Sequence, residues 1–72
     1  MDKYKIILCL TNILEIEEDE LGDAIKFESM KFILFILEIE EMFGIEIEDV
    51  DLDLNKYTSL DSIYDTFSKY FI

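Results

Sequence analysis

Apolar residues in this 72-residue chain fall into three stretches separated by acidic segments. In the first, Tyr4, Ile7, Leu8, Thr11 and Leu14, joined by Leu10 and Ile13, recur at spacings of three and four. This predicts a helix over residues 3 to about 17, with Lys3, Lys5, Asn12 and Glu15 left for solvent. A strand at Lys5–Leu10 is disfavoured because the apolar residues run on continuously instead of alternating. The second stretch, Phe27 to Ile47, predicts a helix from Met30 to Phe43, with Ser29 as its N-cap and Gly44 as the left-handed residue beyond its end. The third predicts a helix from Leu60 to about Phe71, capped by Thr58 or Ser59, with Leu60, Ile63, Tyr64, Phe67 and Phe71 as its stripe.

The connections follow from what remains. Glu15 to Glu20 reads as a solvated acidic connector. Leu21–Phe27 reads as a loop in which Gly22 can supply a positive φ and Leu21, Ile25 and Phe27 are apolar anchors. Ile45-Glu46-Ile47-Glu48 alternates, as an extended segment does when it buries Ile45 or Ile47. From Asp49 to Asn55 a loop is expected with Val50, Leu52 and Leu54 inserted, and a short helix near Leu52–Tyr57.

The central helix is more apolar than one buried face requires. Phe32, Ile33, Phe35, Ile36, Ile39 and Phe43 can share the core. Met30, Leu34 and Leu37 then form a second face beside Glu38 and Glu41. An exposed apolar stripe bordered by carboxylates suits a partner with apolar sockets and a basic rim. Tyr4, Phe32, Phe35 and Phe67 predict a well-filled interior.

Composition narrows the function classes. A chain this short supports one core, hence one domain over residues 1–72, and two glycines with no proline point to a small all-α protein. Its 18 acidic residues against six lysines give a net charge of −12. That charge disfavours nucleic acid and anionic membranes, and favours a monomer that meets basic protein surfaces. Cys9, the only cysteine, can form no internal disulfide and reads as a buried, inert thiol. The N-terminal apolar run of five residues is too short for a signal peptide and no stretch spans a membrane, so a cytoplasmic location is expected.

Without histidine there is no imidazole base for a nucleophile and no nitrogen ligand set for zinc. No glycine-rich phosphate loop is present, so no catalytic residue is assigned and the chain is not expected to be an enzyme acting alone. Asp49, Asp51 and Asp53 invite a calcium-loop reading. That loop needs glycine at its sixth position and glutamate at its twelfth, where this chain has Leu54 and Leu60. No metal site is therefore assigned, and only loose divalent binding remains open.

The run Glu28-Ser29-Met30-Lys31-Phe32-Ile33, followed by Ile39-Glu40-Glu41-Met42-Phe43-Gly44-Ile45-Glu46-Ile47, resembles the acyl carrier and peptidyl carrier protein superfamily. In that family Asp-Ser-Leu or Asp-Ser-Met opens the second helix and a Glu-Glu-x-Phe-x-Ile-x-Ile stretch ends it. Thr58-Ser59-Leu60-Asp61-Ser62-Ile63 resembles the start of the family's last helix, and the likeness covers roughly residues 21–72.

This resemblance implies a four-helix bundle of acyl-carrier type with a short third helix. It also implies that 4′-phosphopantetheine, donated from coenzyme A by a phosphopantetheinyl transferase, is esterified to the Ser29 hydroxyl beside Glu28. The arm's thiol then carries acyl or aminoacyl groups as thioesters between acyl-transferring or synthase enzymes, in fatty-acid, polyketide or related biosynthesis. Met30, Leu34, Leu37, Glu38 and Glu41 form the recognition face. A hydroxyl at a helix N-terminus suits the attachment, because the helix end stabilises the phosphodiester anion.

Two departures stand out. Glu28 replaces the family's aspartate, keeping its charge and moving it by one methylene. Lys31 and Leu34 stand at positions that are commonly acidic in fatty-acid carriers, so docking is expected to lean on apolar contact more than on charge. The competing readings are an unmodified carrier-like interaction module and an ion-responsive acidic domain using Asp49, Asp51 and Asp53.

Overall fold

The computed structural model describes residues 1–22 and 24–71; Asp23 of the expected 21–27 loop lies outside the described residues. Among the described residues three α-helices form: α1 (Lys3–Leu14), α2 (Ser29–Phe43) and α3 (Leu60–Ser68). Short 3₁₀ turns occur at Glu18–Glu20, Asp49–Asp51, Leu54–Lys56 and Lys69–Phe71, and no strand is present among the described residues. The expected short third helix at Leu52–Tyr57 is replaced by the two middle turns. Asp53 marks the break between them: its backbone is extended, and its carboxylate caps the second turn by accepting the Asn55 N–H at 3.0 Å.

Each α-helix is bounded by a recognisable cap. Asp2 starts α1 by accepting the Lys5 N–H at 3.2 Å. α1 stops at Leu14, three residues earlier than its pattern predicts, because Glu15 takes a left-handed conformation with φ 58°. The Ile16 N–H then turns back to the Thr11 carbonyl at 3.1 Å, and Ile16 is half-buried. α2 ends the same way at Gly44 with φ 64°, and the Ile45 N–H reaches Glu40 O at 3.1 Å. The left-handed residue expected at Gly22 is found at Glu15 instead. Ser59 opens α3 through a reciprocal box with Ser62, with bonds of 3.0 and 3.1 Å.

The core is shared by all three helices. α1 contributes Ile6, Cys9 and Leu10, α2 contributes Phe32, Phe35, Ile36 and Ile39, and α3 contributes Ile63 and Phe67. Loop residues Ile25, Ile47 and Tyr57 complete it. The buried face of α1 is rotated from the expected stripe: Tyr4 and Leu8 face solvent while Ile6 is covered, and Leu10 and Cys9 are buried as expected. Continuous apolarity from Ile6 to Leu10 leaves periodicity no basis for choosing a face.

The buried aromatic set is Phe32, Phe35, Tyr57 and Phe67, with Phe27 stacked on Phe35 at 5.2 Å. Tyr57 takes the interior place expected of Tyr4. The molecule measures 29 × 23 × 19 Å, and the shortest dimension is about two helix diameters. Apolar side chains fill that thickness, and the open volumes are surface grooves. No helix among the described residues is long and apolar enough to cross a membrane.

Candidate functional site

Ser29 is the first residue inside α2, one place further in than expected. Glu28 occupies the N-cap position in extended conformation and makes no side-chain capping bond. The first helical backbone bond runs from the Phe32 N–H to Glu28 O at 2.9 Å, so the N–H groups of Ser29, Met30 and Lys31 have no partner within the helix. Glu28 and Ser29 are both exposed. Phe27, packed on Phe32 and Phe35, and the bond from Ile25 N–H to Thr58 O at 2.7 Å fix the path of the chain into this position. The hydroxyl therefore sits at an uncapped helix start whose approach is set by buried neighbours.

No acidic residue lies in the first turn of α2. Lys31, in that turn, reaches back to Glu15 at 3.7 Å; the glutamate is almost fully exposed, so the pair contributes at most about 1 kcal/mol. The helix N-terminus itself favours an anionic substituent, although the Glu28 carboxylate stands beside it and the Lys31 charge is shared with Glu15.

Ser29 opens onto a shallow groove of mixed polarity. Phe32 and Ile33 form one side and Leu52, Asp53, Leu54 and Asn55 the other. It continues along α2 as a second groove of about 330 Å³ lined by Phe32, Ile33, Ile36, Leu37, Glu40 and Leu52. Leu52 belongs to both. Glu40 accepts the Ile47 N–H at 2.8 Å, which holds the chain after Gly44 against the helix.

Two expectations change here. Ile33, assigned to the core, is 57 % exposed and faces the groove. Val50, Leu52 and Leu54, expected to insert into the core, are exposed, and Leu52 and Leu54 form the groove's outer wall. A sequence signal for the inner wall existed: Ser29, Ile33 and Leu37 lie four apart, on one ridge of the helix. No comparable signal marked the outer wall, whose residues follow no helical or strand period.

The residues expected to form a recognition face stay together on the outward face of α2. Met30 is 74 % exposed, Leu34 51 % and Leu37 56 %, with Glu38 and Glu41 exposed beside them. Ile33 and Leu52 extend this patch around to the groove.

Other chemistry is directed elsewhere. The three aspartates do not converge: Asp51 points inward and is 3 % exposed, Asp53 accepts Asn55 N–H, and Asp49 is exposed. The Asp51 carboxylate meets Lys69 Nζ at 2.6 Å, Tyr70 Oη at 2.5 Å and Lys56 Nζ at 3.0 Å. Hydrogen bonds from Lys69 and then Tyr70 hold this carboxyl well below the usual carboxylate range, against the opposing effect of burial. Among the described residues, no group of three carboxylate or thiolate side chains gathers as a metal-binding set. Burial, with the Glu38 charge nearby, pushes the Cys9 thiol up to about 12, so it stays protonated and weakly nucleophilic at neutral pH.

No protein-family model, curated protein or solved structure matches this chain.

Proposed function

We propose that this protein is an acyl or aminoacyl carrier whose Ser29 bears 4′-phosphopantetheine. The observation that carries the reading is the placement of Ser29: an exposed hydroxyl on the first residue of an uncapped α2, opening onto the shallow groove between Ile33 and Leu52, which leads into the apolar one along α2. The resemblance of residues 21–72 to the carrier superfamily supplies the chemistry. In that reading the two 3₁₀ turns at Asp49–Lys56 stand in for the short third helix of a four-helix bundle.

Attachment forms a phosphodiester between the Ser29 oxygen and the pantetheine phosphate of coenzyme A. The hydroxyl gives up its proton to the transferase, and adenosine bisphosphate leaves with the electrons of the broken phosphoanhydride bond. The free N–H groups of the first helical turn and Lys31 favour the new anion. Glu28, exposed beside it, meets the transferase.

The protein itself catalyses nothing in this scheme. It tethers the thioester, shelters part of the cargo along the groove, and presents Met30, Leu34 and Leu37, rimmed by Glu38 and Glu41, to cytoplasmic acyl-transferring or synthase enzymes. The net charge fits a monomer that meets basic docking surfaces, and disfavours nucleic acid and anionic membranes as partners.

Intact mass after incubation with coenzyme A and a broad-specificity phosphopantetheinyl transferase tests the assignment. A gain of one phosphopantetheine, absent in Ser29→Ala, is expected. No gain with several transferases overturns it and leaves a carrier-like module that is never modified.

A further inference from the structure

Residues 51–57 form a strap along the groove beside Ser29. The buried Tyr57 ring anchors its far end on Phe32, Phe35 and Phe67, and the rest has little of its own to hold it there. Its backbone bonds are all local: Asp51 to Glu48 and Leu52 to Asp49 in one turn, Lys56 to Asp53 and Tyr57 to Leu54 in the next. The side chains of Leu52, Asp53, Leu54 and Asn55 are exposed. The strap is therefore positioned by its ends, and only Asp51 and Tyr57 within it are buried.

Asp51 joins those ends to each other and to the C-terminal turn. Its carbonyl accepts the Tyr57 hydroxyl at 2.7 Å, and its Oδ1 accepts Lys56 Nζ. Its Oδ2 takes both Lys69 and Tyr70 from the turn that follows α3. Tyr70 Oη also accepts the Glu48 N–H at 3.0 Å, just ahead of the strap. At the far end, Thr66 Oγ1 donates to Lys56 O at 3.1 Å. One carboxylate thus connects the groove's outer wall, through the next residue Leu52, to the last turn of the chain.

We propose that Asp51 is a positioning residue for the groove: with Lys69 and Tyr70 it clamps the Leu52–Asn55 wall against α2, coupling the C-terminal turn to the surroundings of Ser29. The clamp can be reached from solvent. Lys56 and Lys69 are partly exposed and line a cleft of about 340 Å³ together with Ser62, Asp65 and Thr66. Drawing Lys69 away from Asp51 releases the wall, and the groove loses its outer side. This deepens the carrier reading, since the groove shelters whatever Ser29 bears, but the geometry is that of the chain alone.

The test uses Ser29→Cys carrying an environment-sensitive fluorophore, with the protonated, buried Cys9 left unlabelled and labelling checked by mass. The parent should show blue-shifted emission, retained by Lys69→Arg, which keeps the ion pair. Asp51→Asn and Lys69→Met should shift emission toward that of the free dye. Their amide exchange at residues 52–57 should rise by about tenfold or more, with α1 and α2 amides unchanged. Solvent-like emission in the parent, unchanged emission in both variants, or exchange that rises uniformly along the chain would each overturn the proposal. If Asp51→Asn does not fold, Lys69→Met and Tyr70→Phe carry the comparison. No step needs phosphopantetheine, so failure of Ser29 to be modified would remove the carrier reading and leave this result standing.

Discussion

α2 has a helix along one flank and the strap along the other, and the two flanks are held by different forces. On the α1 side, Ile6, Cys9 and Leu10 are buried in the core they share with Phe32, Phe35, Ile36 and Ile39, and α1 satisfies its own backbone. On the strap side Leu52 and Leu54 remain 43 % and 40 % exposed, and the wall is held at its ends, by the polar bonds of Asp51 at one and the buried Tyr57 ring at the other. Apolar contact is spread over many atoms and tolerates small changes, whereas a polar clamp concentrates positioning in one group. The more easily displaced flank is the one beside Ser29.

The largest expected effect tests the helical flank. Leu10→Ala should cost about 2–5 kcal/mol in urea denaturation, because it removes buried methyl groups and leaves a cavity. Asp51→Asn should cost less, about 1–3 kcal/mol, since its lysine partners recover hydration when the bond is lost. A strap variant that costs more than Leu10→Ala would break the comparison.

The Asp51 contribution also carries a pH signature. Its carboxyl lies below the ordinary range in the folded chain, so its stabilisation is complete above the unfolded value of about 3.9 and fades as pH falls below that. The stability gap between the parent and Asp51→Asn should be flat from pH 7 to 5 and shrink toward pH 3. A gap that stays constant to pH 3 would contradict the assignment.

A smaller effect compares the two left-handed helix ends. Glu15→Gly should stabilise by about 1 kcal/mol, because glycine adopts φ 58° without the penalty that a Cβ brings. Gly44→Ala should destabilise by about 1 kcal/mol for the converse reason. Thermal melts of the two variants should therefore move in opposite directions.

The smallest effect on stability is expected on the outward face. Leu34→Glu should leave stability within about 0.5 kcal/mol, as its side chain is half out of the fold. Affinity for a partner enzyme should fall steeply, with weak salt dependence in the parent. Strong salt dependence together with tolerance of Leu34→Glu would show that charge, and not apolar contact, drives docking.

Much of this was legible along the chain. α2 matches its predicted span closely and α3 starts where expected, because Gly44 and Ser59 are strong local signals, although the last predicted turn of α3 tightens to 3₁₀ at Lys69–Phe71. Met30, Leu34 and Leu37 share an exposed face as their spacing implies. The end of α1 was not legible, since glutamate has no intrinsic preference for the left-handed conformation that Glu15 adopts. The face of α1 and the place of Ile33 were missed for another reason. Where apolar residues surround a helix, only the neighbours decide which of them are covered.

By itself, then, the order of residues determined the helical class, the caps at Gly44 and Ser59, and a serine at the mouth of an apolar helix, all of which rest on local propensity and spacing. The tertiary structure decided that Asp51 turns inward to Lys69 and Tyr70, that Tyr57 fills the core, and that Leu52 walls a groove beside Ser29. These contacts join residues up to 25 positions apart, as Phe32 and Tyr57 are, and no short-range period encodes them. They exist only once packing has brought the strap and the last turn together.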